Sequence, residues 1–324
     1  MPLNFEFEVD DEYEHPALGT YFRLNTPVLR DVVKQVFFKI AMKQTGVIFF
    51  GPPRVGKTRC FKALRVEIPK RFPNAYVVSM IAVARENARH VSTIINQLTA
   101  QEGIEVGRNS SSIKQFNILV DTILNDMRQR KKNHLVLLFD ELQRFASADF
   151  YQLADMVNVL DDRSIKVTVI SFAMPGITKL VKTLKTVAEL QIIARFMSNL
   201  RQVSGIETKD ELKKILELYD SSMFYPAASG ISYTEHFFPK SFAKGWRMST
   251  ISEYFWEAMY KKASGCYVSN LPMEHVSTAI RYFHLACIDA DGENHPITNA
   301  DIEEAIEISG FEEFCIAVIE GRIK

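Results

Sequence analysis

Apolar residues recur along the chain with two spacings, and the change from one to the other divides it. Short continuous apolar runs come first: GVIFF (46–50), AYVVSMIA (75–82), HLVLLFDEL (134–142) and KVTVISFAM (166–174). Each has the length of a buried strand. Between them lie stretches with apolar positions three and four apart: RDVVKQVFFKIAMKQ (30–44), TRCFKALRVEIPKRF (58–72), ARHVSTIINQLTAQEG (88–103), IKQFNILVDTILNDMRQRKK (113–132) and DFYQLADMVNVLDD (149–162). These read as amphipathic helices, the third and fourth separated by the polar turn GRNSSS. Strand and helix in alternation predict an α/β fold, a parallel sheet with helices on both faces.

From about residue 206 the strand signal fades. TKDELKKILELYDSS opens on Thr208 as an N-cap, and MSTISEYFWEAMYKKASG, PMEHVSTAIRYFHLACIDADG and TNADIEEAIEISGFEEF continue the helical spacing. A smaller all-helical domain is expected after the sheet. The organisation read from the pattern is an acidic tail over 1–20, a core over 21–205 and a helical lid over 206–324. The aromatic-rich stretch from Met223 to Trp246 is either a partner-docking surface or a cover for the lid's core.

Composition narrows the function classes. The 324 residues suffice for one large or two modest cores, and 39 basic against 39 acidic residues give no bulk cationic field. Contact with DNA must therefore come from a local patch. Cys60, Cys266, Cys287 and Cys315 are scattered without a metal-binding spacing, so a metal site on thiolates is not expected, and burial of all four is. No apolar run reaches the ~20 residues of a membrane span. The acidic start lacks the character of a signal peptide, so a cytoplasmic protein without a membrane partner is expected.

Chemistry enters with FFGPPRVGKTRC. Gly51-Pro52-Pro53-Arg54-Val55-Gly56-Lys57-Thr58 fits the phosphate-loop pattern G-x-x-x-x-G-K-[ST], placed after an apolar strand and before a helix. The glycines let backbone N–H groups turn toward phosphates, and the helix that begins there adds its positive end. Lys57 would reach the β- and γ-oxygens, Thr58 would ligate Mg²⁺, and the cradle would run from Gly51 to Arg59. The bland alternative is a glycine-lysine turn arising by chance. Asp140 and Glu141 close the apolar run LVLLFDEL, at the strand end where open α/β sheets bind ligands. Asp140 would hold the Mg²⁺ through water and Glu141 would polarise the attacking water. A solvated carboxylate pair is the competing reading.

Four further stretches carry a resemblance: LNTPVLRDVV before the loop, FDELQRF, VISFAMPGITKLV and ELQIIARF. With the phosphate loop they resemble the AAA+ ATPases, in the branch of origin-recognition and transposon-regulator proteins, and more closely the TnsC/TniB-like ATPases of Tn-family and CRISPR-associated transposons. The similarity covers roughly residues 22–205. It implies an AAA+ core with a helical lid, ATP and Mg²⁺ as cofactors, and hydrolysis that needs an oligomer. Carried onto this chain, Arg195 of ARF becomes the arginine finger reaching the neighbouring subunit's γ-phosphate; an ion pair at the sheet's rim is the alternative. Ser171 is the nearest candidate for the polar residue of the following strand, sensor 1. Where relatives carry a glycine-arginine sensor 2, this chain has Ser269-Asn270, so that sensor is absent or replaced by Arg281. A slow switch is implied.

In the resembling family, ATP-bound subunits form rings or filaments on duplex DNA, mark a target site and recruit transposase, with a target selector as a further partner. Arg85, Arg89, His90 and Lys114 are the candidate DNA contacts, against the alternative of a solvated helix face. The basic run RQRKK (128–132) precedes the Asp140 strand, on the side away from the nucleotide. Other roles for the same nucleotide site are a helicase-loader-like switch, an antiphage sensor, or an interaction module without hydrolysis.

Overall fold

A computed structural model describes residues 15–18, 24–83, 93–105, 110–186, 190–292 and 298–321. Contacts divide the chain into two units, one of Asp31–Pro52 with Lys57–Val203, the other of Met1–Arg30, Pro53–Gly56 and Ser204–Lys324. The tip of the phosphate loop thus clusters with the helical residues.

The first unit is built on five parallel strands: β1 (Gly46–Phe50), β2 (Ala75–Ile81), β3 (His134–Asp140), β4 (Lys166–Ala173) and β5 (Leu200–Gln202). Their order is β2-β3-β4-β1-β5. β4 therefore stands between the strand that leads into the phosphate loop and the strand that ends in Asp140. All seven residues of β3 are buried, which explains why its sequence is a continuous apolar run rather than an alternating one. The helices are α1 (Pro27–Ala41), α2 (Lys57–Arg71), α3 (Ile94–Gln101), α4 (Ser112–Gln129), α5 (Ser147–Asp162) and α6 (Ile177–Thr186). Thr93 and Ser111 cap α3 and α4 through their hydroxyls. Leu119 and Ile123 of α4 and Phe150 and Leu153 of α5 pack with Leu137 and Phe139 in one core.

A short helix, α7 (Leu190–Ile192), runs into a π-helical turn over Ile193–Met197 that contains ARF. The helical unit holds α8 (Lys209–Ser221), α9 (Tyr233–Phe237), α10 (Pro239–Ala243), α11 (Ser252–Lys262), α12 (Met273–Cys287), α13 (Asn299–Ile308) and α14 (Phe311–Ile319). Thr208 caps α8 as its sequence predicts, accepting from Glu211 N at 3.2 Å. The run TNADIEEAIEISGFEEF, expected as one helix, is two, because Gly310 takes a left-handed φ of 66° and ends the first. Tyr233, Phe237 and Phe238 of the aromatic stretch are core residues of this unit. Asp220 ties α8 to that stretch and to the turn after it, accepting from Thr234 Oγ1 at 2.7 Å in the first and from Met248 N at 2.8 Å and Ser249 N at 3.0 Å in the second.

Two expectations need correction. Cys60, Cys287 and Cys315 are buried, but Cys266 is exposed, since in its short turn the neighbouring Tyr267 takes the interior position. His15–Leu18 fall inside the expected tail, yet His15 and Ala17 are buried in the helical unit. The His15 ring lies 4.5–4.6 Å from the rings of Tyr225, Tyr233, His236 and Phe237.

Three buried histidines give the fold a pH dependence. Burial, then the neighbouring His236 and His284, push His15 down to about 3. Burial takes His284 to about 4 and, with Lys43 nearby, His134 to about 4. Each is neutral when folded but gains a proton once unfolded below its ordinary value of 6.5, so stability is full above that pH and falls as the solution is acidified. The slope is about 1.4 kcal/mol per pH unit for each histidine. Urea-unfolding midpoints should drop steadily from pH 6.5 to pH 4.5; midpoints flat over that range contradict the assignment. Gly205→Ala should cost about 3 kcal/mol or more by the same measurement, because its Cβ would lie 2.0 Å from the Leu271 carbonyl oxygen.

Candidate functional site

In the sheet unit, the candidate residues converge at the C-terminal ends of β1 and β3. Lys57 opens α2 and is 6% exposed; its Nζ donates to Gly51 O at 2.8 Å and Pro52 O at 2.6 Å. Burial lowers its pKa to about 8, against the pull of Glu141 and Asp140, whose charges lie within its reach. Thr58 Oγ1 donates to Asp140 Oδ2 at 3.0 Å, across 82 residues of sequence. Asp140 is buried, and its other oxygen, Oδ1, accepts from Glu141 N at 3.0 Å. Burial raises the Asp140 pKa, while the Thr58 and Glu141 hydrogen bonds oppose the shift.

Glu141 adopts a left-handed backbone, φ 61°, rare for a residue with a side chain and stable only where the surroundings impose it. Its carboxylate accepts from Gln143 Nε2 at 2.8 Å and pairs with Arg144 at 3.3 Å. The donor set suits a magnesium nucleotide. A hydroxyl and a carboxylate already within hydrogen-bond distance are hard oxygen ligands for Mg²⁺, and a lysine beside them supplies charge for phosphate oxygens. Thr58 and Asp140 would hold the ion, and Lys57 the phosphates.

The loop's tip, Pro53–Gly56, is set in the helical unit. Gly56 has φ 108°, a conformation open to glycine. Val55 is buried. Arg54, expected in the cradle, turns its guanidinium elsewhere: Nη1 is 3.3 Å from Glu274 Oε1 and 3.2 Å from His275 Nε2, with Cζ 4.5 Å over the Phe314 ring. Only its backbone remains available to phosphate. Arg59 is exposed on α2.

The other candidates lie apart. Arg195 Nη1 donates to Asn158 Oδ1 at 2.7 Å and, more weakly, to Ala154 O at 3.4 Å, on the wall of a cavity of about 650 Å³ shared with Tyr151, Asp155 and Leu190. It makes no ion pair with a described carboxylate. Its π-helical setting is one that recurs at functional positions. Ser171 is buried in β4, level with Phe139 and so one residue inside the Asp140 end. Asn270 is a brace within the helical unit, its Oδ1 accepting from Gly205 N where Ile206 and Leu271 pair. Arg281 is on α12, close enough to the buried Tyr219 of α8 to act on its hydroxyl. Lys114 is exposed in the first turn of α4, and Arg85, Arg89 and His90 lie outside the described residues. The run RQRKK ends α4 and leads to the start of β3, the opposite end of that strand from Asp140. Sequence reasoning missed Gln143 and Arg144; the stretch DELQR held both, but their contacts to Glu141 depend on a backbone turn that no spacing reveals.

Residues 41–181 match the family model of an AAA domain. Among solved structures, the Aeropyrum pernix ORC2 protein in its ADPNP-ADP complexes is similar over 93% of this chain and 70% of that one, at 15% identity and a TM-score of 0.53. The ADP form of the same protein gives 94% and 72%, again at 15% and 0.53. No curated protein matches the chain. At such identity the structural likeness speaks for the fold: a parallel five-stranded sheet with flanking helices and a C-terminal helical region, the AAA+ P-loop ATPase fold. An AAA domain on this fold is an ATPase module, and the chain is an ATPase. No helix among the described residues is long and apolar enough to cross a membrane, and no described cluster of His, Cys, Asp and Glu forms a metal site.

Thr58→Val keeps the branched side chain and removes the hydroxyl. Nucleotide affinity with Mg²⁺ should fall about tenfold to a hundredfold and become insensitive to chelator, in a titration with a fluorescent ATP analogue. Unchanged Mg²⁺ dependence would remove Thr58 from the ion's shell.

Proposed function

We propose that this chain is a nucleotide-switched AAA+ regulator of DNA transposition, which assembles with further copies on duplex DNA in its ATP state, marks a target and engages transposase with its selector. Hydrolysis then takes the assembly apart. The observation that supports the nucleotide half of this reading is the Thr58–Asp140 contact of 3.0 Å beside Glu141, which brings the two candidate ion ligands and the candidate base together at one end of the sheet. In this role Lys57 and the backbone of Gly51–Arg59 hold the phosphates, and Glu141 orients the attacking water. Arg195 serves as the finger to a neighbour: among the described residues it is joined to its own chain by neutral oxygens, and an arginine so held keeps its charge for an incoming phosphate.

The transposition half rests on the sequence stretches FDELQRF, VISFAMPGITKLV and ELQIIARF. The DNA contacts belong to Arg85, Arg89, His90 and Lys114. A second reading, a helicase-loader-like or antiphage switch acting on a protein effector, keeps the same nucleotide site; the ORC2-like fold is its support.

Negative-stain microscopy with a non-hydrolysable ATP analogue, with and without duplex DNA, separates the two. Rings or filaments that need both nucleotide and DNA are expected; assembly indifferent to DNA moves the function to a protein effector. Glu141→Gln should trap the assembled form. Arg195→Ala should assemble yet hydrolyse about a thousandfold more slowly, and a wild-type rate would refute the finger.

A further inference from the structure

Glu141 is held through one oxygen from two directions. Gln143 Nε2 donates to Glu141 Oε2 at 2.8 Å, and the same amide's Oε1 accepts from the backbone N–H of Met174 at 2.9 Å. Met174 is the residue after β4 ends. Arg144 Nη2 lies 3.3 Å from that same Oε2, and its Nη1 donates to the carbonyl of Ala82 at 2.9 Å, the residue after β2 ends. The two side chains connect the carboxylate to the ends of the strands on either side of β3. Glu141 Oε1 accepts no hydrogen bond from the described residues.

A glutamate left to itself samples many rotamers, and fixing it costs up to about 2 kcal/mol. A general base works only within reach of the proton it takes. Here the restraint is already built in. The left-handed backbone at Glu141 turns the chain sharply enough for residues two and three positions later to bond back to its carboxylate. Glutamine suits the first bridge because its amide both donates and accepts. A carboxylate at that position would repel Glu141, and an apolar side chain would leave Met174 N–H without its acceptor.

We propose that Gln143 and Arg144 are positioning residues for hydrolysis: by fixing Oε2 of Glu141 to the ends of β4 and β2, they leave Oε1 as the oxygen that takes the proton. In that step water gives a proton to Oε1 as its oxygen bonds to the γ-phosphorus. The bond from that phosphorus to the β–γ bridging oxygen breaks, and ADP leaves with the electron pair. Glu141 then passes the proton to solvent. The proposal rests on Glu141 being the base, and the bland reading is that these bonds only stabilise the turn Leu142–Arg144.

Single-turnover hydrolysis and fluorescent-ADP affinity, measured on the full chain, distinguish them. Gln143→Leu and Arg144→Ala should each lower the hydrolysis rate about tenfold or more, with ADP affinity within about twofold of wild type. In a Glu141→Gln background neither should lower the rate further, because both act through that carboxylate. A wild-type rate in Gln143→Leu overturns the proposal. So does a loss of the same size in the Glu141→Gln background, or a parallel loss of ADP affinity, either of which marks a structural role. Should Gln143→Leu fail to fold, Gln143→Glu keeps an acceptor for Met174 N–H while opposing Glu141, and is expected to be as slow; a wild-type rate there is equally fatal. If Glu141→Gln alone hydrolyses normally, Glu141 is not the base, and the assignment beneath the proposal fails first.

Discussion

A carboxylate in the interior is stable only when its charge is answered, and Asp140 is the carboxylate this site is arranged around. It is 2% exposed at the end of a strand buried along its whole length. Leaving it without donors would cost several kcal/mol. Two donors answer it: the Thr58 hydroxyl on one oxygen and the Glu141 N–H on the other. The first joins the start of α2 to the end of β3. The second is a bond within the turn that gives Glu141 its left-handed backbone. One buried charge therefore fixes both the start of α2, where the phosphate-loop motif ends, and the turn that carries Glu141.

The strand order makes this possible. With β4 inserted between β1 and β3, the phosphate loop and the Asp140 turn are separated by one strand width, and the end of β4 lies between them. That is why Met174, which lies outside the phosphate-loop motif, can still receive a bridge from the Glu141 turn. Side chains of the turn that are anchored on the backbone at neighbouring strand ends hold a carboxylate more closely than a free loop could, because each strand is fixed by its ladder and its burial.

Much of this was legible in the sequence, and for identifiable reasons. GVIFF and HLVLLFDEL are strands buried on both faces, so their apolar runs are continuous and their ends are marked by glycine or by carboxylates. The phosphate loop is a local motif whose spacing is its geometry. β5 was not legible, since its three residues, Leu200–Gln202, are only partly buried or exposed and carry no periodic signal. The π-helical turn around Arg195 and the break at Gly310 also escape, because both depend on backbone choices at one or two residues rather than on a pattern. Asn270 illustrates another limit. It stands where the resemblance puts a sensor arginine, and the sequence offers no role for an asparagine there; Gly205, 65 residues earlier, brings a backbone N–H against its amide and makes it a brace.

The same distinction applies to the arginines. Arg54 sits inside the motif, yet its guanidinium is engaged by Glu274, His275 and Phe314, so motif membership assigns only its backbone to the cradle. Arg144, in the stretch FDELQRF but with no role assigned to it there, is bound to the residue on which hydrolysis would turn. Arg195 is held by an amide oxygen and a carbonyl, neutral partners that fix its direction without cancelling its charge. A guanidinium paired to a carboxylate must give up that pair before it can meet a phosphate, whereas one held by neutral oxygens gives up much less. By that measure, of these three arginines Arg195 is the one that would give up least on meeting an outside charge, which is what the proposed finger requires.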